Sequence, residues 1–234
     1  MLPATTYPRK LEAELMDGPD LPLADALQAL TDLDRVNAWL FGYSASRRTL
    51  LPRLTGGPRN QTVVDVGTGS GSISRSLSRH AAKRGVSLKI IGVDRKLCHL
   101  LFAARTNNDQ LSVVADAAAL PFRSGAVDWA FSNLLFHHFD VDKNRRVLAS
   151  MQRVAKRGVV VVDLRRALIA RGLIRLLLPL LRVGHVASYD GKLSTDQAWS
   201  LEEIERVSTG LPVLELRHRF PFRFSLVTDA TNNG

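Results

Sequence analysis

A glycine loop and three acids carry the clearest chemical signal. VVDVGTGSG (63–71) runs from a β-branched stretch through Asp65 into Gly67-Thr68-Gly69-Ser70-Gly71, then into the helix-like ISRSLSRHAAKR. Glycines at a strand-to-helix junction permit a tight turn and let a ligand approach the backbone. A dinucleotide fingerprint would need glycine at 72, where Ser72 stands; a phosphate loop would need Gly-Lys-Ser/Thr, and no such lysine follows. Asp65 before the turn repels a pyrophosphate and attracts a cationic amino group. Asp94, in IIGVDRK, sits where a carboxylate can accept ribose hydroxyls. Asp116, after LSVVA, could accept the exocyclic amine of an adenine, with the Ala117 backbone pairing to the ring. Three acids at three successive strand ends fit one nucleoside carrying an amino acid.

Those positions require a sheet. The runs at 62–66, 88–93, 111–115, 127–132 and 158–163 are short, apolar and β-branched, and amphipathic segments of helical length separate them. This alternation predicts βαβ units in a doubly wound, mostly parallel α/β sheet, which binds ligands beyond the carboxyl ends of its strands. PVLELRHRF and FRFSLVT, joined through Phe220-Pro221-Phe222, predict an antiparallel pair closing it. Before residue 60, Leu30, Leu33, Val36 and Leu40 recur at helical spacing, with Thr31 or Asp32 as candidate caps. The expected organisation is a helical extension over 1–58 and a sheet domain over 59–234.

The chain has 234 residues and a net charge of +10, from 32 basic and 22 acidic residues. That length suits one domain of the usual ~100–200 residues. Hydrophobic content of 45% against 23% charged residues excludes a disordered chain. Residues 1–34 carry seven acids and two bases, so the rest is more basic still. One cysteine, Cys98, rules out an internal disulfide, and no Cys/His cluster has zinc-site spacing, so no metal is expected. No signal-peptide core or membrane span is visible; the expected location is cytoplasmic, with peripheral membrane contact as a variant.

The series VVDVGTGSG, IIGVDRK, VVADAAALPF and AVDWAFSNLLFHHF resembles the motifs of class I S-adenosylmethionine-dependent methyltransferases over about residues 60–165. Within that superfamily, Leu120-Pro121-Phe122, Asp128 and Phe136-His137-His138 resemble the small-molecule branch that includes the ubiquinone/menaquinone C-methyltransferases. The resemblance implies a Rossmann-like seven-stranded sheet and S-adenosylmethionine as cofactor. It implies that Asp65, Gly67, Thr68 and Gly69 cradle the methionine part, Asp94 the ribose, and Asp116 and Ala117 the adenine. Ser132 and Asn133 then lie near the sulfonium. Arg95, where an apolar or small residue is commoner, could stack its stem over the adenine. The N-terminal helices commonly fold over the cofactor cleft in such enzymes, which points to Tyr43, Arg47 and Arg48.

A base assists methyl transfer to a phenol, and His137, His138 and His185 are the candidates, His185 with Tyr189 and Asp190 nearby. The stretch 164–183 contains five arginines and no acid in a Leu/Ile-rich background; Arg171, Arg175 and Arg182 share one helical face. It reads as a substrate lid within an insertion at about 164–195, as a membrane-surface helix, or as a core helix. Pro179 should kink or end it, and Tyr189–Ser194 reads as a turn near the site. The expected acceptor is small, lipophilic and aromatic, phenolic or quinone-like, methylated on oxygen or carbon. The alternatives are an RNA methyltransferase, motivated by the charge, and a non-catalytic cofactor-binding or membrane-surface protein. SNLLF lacks the prolines of base N-methyltransferases, so a nucleic-acid partner is not expected; a monomer or homodimer is.

Overall fold

Residues 61–66 alternate their side chains between two covered faces, which is why the adjacent Val63 and Val64 are both buried, with Val66, rather than every second residue. A computed structural model describes residues 7–40, 42–106 and 111–230. Its centre is a seven-stranded sheet built from β1 (Asn60–Val66), β2 (Ser87–Asp94), β3 (Leu111–Val114), β4 (Val127–Asn133), β5 (Ala155–Leu164), β6 (Val213–Arg219) and β7 (Arg223–Asp229). The spatial order is β3-β2-β1-β4-β5-β7-β6. The first five strands pair in parallel, and β7 runs antiparallel to both β5 and β6. Each expected strand is present, with ends shifted by at most three residues.

The helices are α1 (Leu23–Trp39), α2 (Gly42–Thr55), α3 (Ser72–Ala82), α4 (Leu97–Thr106), α5 (Val141–Val154), α6 (Leu168–Leu180), α7 (His185–Gln197) and α8 (Leu201–Val207). On one face of the sheet, Val64, Val66, Val159 and Val161 pack with Val147, Leu148 and Met151 of α5 and Ile204 of α8. On the other, Val63, Phe131, Val160 and Val162 pack with Ala45, Leu50 and Leu54 of α2 and Leu77 of α3. So α2 belongs to the sheet's own helical layer. Only α1 leaves it, joining Met16, Leu30 and Ala187 in a separate small core with the α4 and α7 region. Arg47 and Arg48 therefore lie away from the cleft: Arg47 meets the His80 ring at 2.9 Å and Arg48 is exposed.

Three local expectations are corrected. First, α1 starts after Pro22, so Thr31 and Asp32 are interior residues rather than caps. Thr31 hydrogen-bonds its own helix at the Leu27 carbonyl, while the buried Asp32 accepts the Gly184 N–H at 2.8 Å. Capping residues also serve as back-bonding residues and tertiary acceptors, and the sequence does not separate these uses.

Second, 164–183 is not one helix. Leu164 ends β5, Arg165 bridges to Trp199, α6 begins at 168, and Arg182 turns at φ 49 beyond its end. Arg171 and Arg175 meet Asp196 of α7 at 2.8 and 3.1 Å, and Arg166 meets Glu203 at 2.8 Å. Third, Tyr189–Ser194 is helical, inside α7. Its glycine serves close packing: a Cβ on Gly191 would lie 3.2 Å from Leu178 Cδ1 on α6. No helix among the described residues is long and apolar enough to cross a membrane.

Candidate active site

At the carboxyl end of β1 the chain must turn sharply into α3. Gly67, Gly69 and Gly71 all take positive φ, 75°, 53° and 70°. A Cβ on Gly67 would meet Leu135 at 2.9 Å. Asp65 lies beneath this loop and is buried. Its Oδ2 accepts the Thr68 hydroxyl at 2.8 Å and the Ser74 hydroxyl at 2.5 Å. Burial pushes its pKa up to about 6, although both hydroxyls oppose the rise. Asp65 and Thr68 thus brace the loop, while Gly67 and Gly69 face the cleft.

Asp94 faces the same cleft. Its Oδ2 accepts the Gly69 N–H at 3.0 Å, its Oδ1 accepts the Lys96 N–H at 2.9 Å, and His99 Nδ1 lies 3.3 Å away. Burial alone would raise its pKa; His99 and the two N–H groups outweigh this and hold it below the usual value. Farther along, Asp116 and Ala117 line the cleft. Asp116 is half exposed, and Lys143 binds both its oxygens at 2.8 and 2.7 Å, which lowers its pKa. Arg95 borders the cleft too, paired with Asp17 at 3.2 Å.

Ser132 and Asn133 are set lower. Ser132 donates to the Val66 carbonyl at 2.9 Å, and Asn133 accepts the Ser46 hydroxyl at 2.7 Å. The cleft wall after β4 is instead formed by Leu134 and Leu135. Leu134 takes φ 58, a conformation costing roughly 1–3 kcal/mol for a non-glycine residue. Its N–H donates to the Val162 carbonyl of β5 at 3.0 Å, fixing that turn.

The sequence reasoning missed the strap that covers this cleft. Glu14, Met16 and Asp17 line it from the N-terminal segment. The Asp190 carboxylate accepts the Leu15 and Met16 N–H groups at 2.7 and 2.9 Å. Lys96 donates to the carbonyls of Met16 and Gly18. Arg9 donates to the carbonyls of His137 and Phe139 at 2.7 and 2.8 Å and lies 3.6 Å from the Trp199 ring centre. Asp34 of α1 accepts both the Ser70 and Ser72 hydroxyls at 2.6 Å, tying the helical cover to the glycine loop. Only the density of acids in residues 1–34 hinted at this.

The three histidines separate. His137 is buried: Nδ1 meets Asp163 Oδ1 at 2.7 Å and Nε2 meets Glu14 Oε1 at 3.6 Å. Burial would discharge it, but the two carboxylates outweigh burial and raise its pKa to about 10. A ring so strongly protonated is a poor general base at neutral pH. His138 Nδ1 lies 3.3 Å from Asp17 and 3.9 Å from Glu14, and its side chain borders the cleft. His185 stands exposed on α7 beside Tyr189, outside both cavities described here.

A second cavity, about 450 Å³, opens beside the first, which is about 210 Å³. The two share Glu14, Leu33, Leu134 and His138. Val36, Ala170, Ile174, Leu177 and Leu178 make the second one apolar.

Residues 64–162 match the model of a methyltransferase domain. Among solved structures, a SAM-dependent methyltransferase from Aquifex aeolicus is 17% identical with a TM-score of 0.63, over 87% of this chain and 98% of that one. A complex of the Trm112 methyltransferase activator with a methyltransferase from Haloferax volcanii matches at 18% and 0.60, over 88% and 96%. Magnesium protoporphyrin IX methyltransferase from Synechocystis, with bound SAH, matches at 14% and 0.53, over 95% and 90%. No curated protein matches the chain. These structural likenesses define the fold as Rossmann-like, and the match of residues 64–162 to a methyltransferase domain supports S-adenosylmethionine-dependent methyl transfer as the chemistry.

The cleft fits that cofactor. It offers a glycine turn with open backbone, a carboxylate at the end of β2, and a polar end at Asp116. Beside it, His99 Nε2 and Asn133 Nδ2 are buried without a hydrogen-bond partner among the described residues.

Two outcomes follow. Asp94→Ala should weaken S-adenosylmethionine binding about 10–100-fold by calorimetry, since one charged acceptor is worth roughly 1.5–3 kcal/mol; an unchanged affinity would remove Asp94 from the site. The raised pKa of His137 contributes stability that is present below the ordinary histidine value of 6.5 and lost as pH climbs toward about 10. Urea unfolding at pH 7, 8 and 9 should show falling stability, by up to about 1.4 kcal/mol per unit. His137→Gln should flatten that slope, and a parallel slope in the variant would contradict the assignment.

Proposed function

We propose that this methyltransferase acts on a small lipophilic acceptor, aromatic, phenolic or quinone-like, at oxygen or carbon. The observation that carries the reading is the apolar cavity, which joins the cofactor cleft at Leu134 and His138. The methyl group must reach an acceptor held in line with the sulfonium, and positioning supplies most of the acceleration in such a transfer. An acceptor in this cavity would be held by aliphatic side chains from α1 and α6, with Ser194 and Thr195 of α7 at its side. His138 and Glu14 are the polar groups at its inner end, and of the candidate bases His138 is the one that faces both cavities.

The rim supports delivery from a membrane surface. Trp39 and Phe220, both lining the cavity, are 68% and 70% exposed. Ile169, Leu173, Leu176 and Leu180 occupy one exposed face of α6, with Arg182 just beyond its end. An apolar helix face of this kind beside a cationic residue suits the interface of an anionic bilayer. An RNA acceptor is less well supported, because Arg166, Arg171 and Arg175 are engaged by Glu203 and Asp196.

Incubation with methyl-labelled cofactor and a cellular extract should place the label in an organic-soluble product. Ala170→Trp, which fills the apolar cavity, should reduce that labelling at least tenfold while cofactor affinity stays within about threefold. Label found only in the aqueous or RNA fraction would refute the acceptor class. In flotation assays the protein should rise with anionic vesicles, and Leu176→Asp/Leu180→Asp should not; equal flotation of both would refute the membrane contact.

A further inference from the structure

Glu14, His137 and His138 come from opposite ends of the fold and meet where the two cavities join. The strap brings Glu14, and the turn after β4 brings both imidazoles. Glu14 Oε1 is 3.6 Å from His137 Nε2, and Glu14 Oε2 is 3.9 Å from His138 Nδ1. One ligand atom from each of the three residues lies within 4.8 Å of the other two. Metal–ligand bonds of about 2.0–2.2 Å place neighbouring donor atoms roughly 3–4 Å apart, so a small closure brings the three around one ion.

We propose that Glu14, His137 and His138 form a binding site for a divalent first-row transition-metal ion. Two imidazole nitrogens and one carboxylate suit zinc, iron, cobalt or manganese rather than magnesium or calcium, which prefer all-oxygen sets. The supporting shell is already in place. Asp163 Oδ1 accepts from His137 Nδ1 at 2.7 Å, which fixes the tautomer and turns Nε2 toward Glu14. That is the carboxylate–histidine–metal arrangement by which proteins orient a ligand ring. Asp163 Oδ2 also accepts the Phe136 and His137 N–H groups at 2.6 and 3.2 Å, so the orienting carboxylate is itself immobile. On the far side of Glu14, the Ser194 hydroxyl donates to Oε1 at 2.6 Å. Asp17, 3.3 Å from His138 Nδ1, adds a third carboxylate to the neighbourhood. The local balance of three carboxylates and two imidazoles therefore favours a dication. Ion binding releases the proton between His137 Nε2 and Glu14.

Three protein donors leave at least one position open, as in catalytic rather than structural metal sites. Glu14, His137 and His138 all border the apolar cavity, so that position is within reach of an acceptor's hydroxyl oxygen. This use of the ion rests on the methyl-transfer reading above; the metal site itself does not. A bound hydroxyl loses its proton to solvent more readily. The oxygen lone pair then forms the new O–CH3 bond as the S–CH3 bond breaks, and the sulfur keeps the bonding electrons as the neutral thioether.

The test uses the full chain, treated with chelator and titrated with cobalt(II) alone. One equivalent should bind with a visible d–d absorption band. His138→Ala and Glu14→Gln should each weaken binding about tenfold or more, and His218→Ala, on the exposed part of β6, should not. Glu14→Gln also perturbs the strap; His138 lies at the cavity surface, so His138→Ala, with folding verified by circular dichroism, carries the test if the first variant fails to fold. Absence of the band at millimolar cobalt, or an unchanged affinity in His138→Ala, overturns the site. Neither result touches cofactor binding or label transfer, so failure of the metal site and failure of the acceptor reading are separable.

Discussion

A buried imidazole between two carboxylates holds the active end of this molecule together. His137 is joined to Asp163, near the end of the interior strand β5, and to Glu14, in the N-terminal strap. Neither carboxylate is tolerable in that interior alone, since an uncompensated buried charge costs several kcal/mol. His137 is equally intolerable unpaired. The three groups therefore specify one another, and with them the position of the strap against the sheet. Trp199 and Asn144 complete the arrangement by donating to the Phe136 carbonyl, both at 2.8 Å, in the same turn. A change at any one of these residues reaches the other two without altering the hydrophobic layers of the fold.

The uneven charge of the chain becomes intelligible on this basis. The acids that make residues 1–34 net negative are largely not a solvated surface. Glu14 and Asp17 face the paired histidines, Asp32 binds the backbone at Gly184, and Asp34 binds two serines of the glycine loop. Together they join the N-terminal cover to three places: the turn after β4, the connection between α6 and α7, and the glycine loop. The basic excess divides similarly. Arg9 is a strap anchor, Arg166 closes onto α8, and Arg171 and Arg175 hold α6 to α7 through Asp196. The net charge of +10 is thus partly an internal wiring of the cover, and only the remainder is available to an anionic surface.

Sheet and cofactor cleft were legible because both are written locally. A strand buried on two faces shows as a continuous β-branched run, and a glycine turn between strand and helix is visible in nine consecutive residues. The errors arise where one residue type has two uses. Asp32 and Thr31 read as caps because caps and tertiary acceptors need the same side chain. Gly191 read as a turn because sequence does not distinguish a glycine that bends the chain from one that lets two helices approach. The start of α6 was misplaced because Leu164 to Ala167 carry no turn residue to separate the end of β5 from the helix. Glu14 was invisible as a partner of His137 because their pairing is purely tertiary.

Two cavities of opposite character meet at a few side chains, and this constrains the chemistry more than either does alone. The cofactor side is lined by carboxylates, backbone N–H groups and a glycine turn, so it binds through direction and charge. The other side is aliphatic and binds through exclusion of water. A water-filled junction would screen the charges of Glu14, Asp17 and His138; an apolar occupant removes that screening and strengthens each interaction at the boundary. Filling the apolar cavity is therefore coupled to the electrostatics of the reacting end, through the lowered dielectric around the histidine–carboxylate cluster. The strap reaches both cavities through Glu14, which lines each, so one carboxylate of the N-terminal segment stands at the boundary between them.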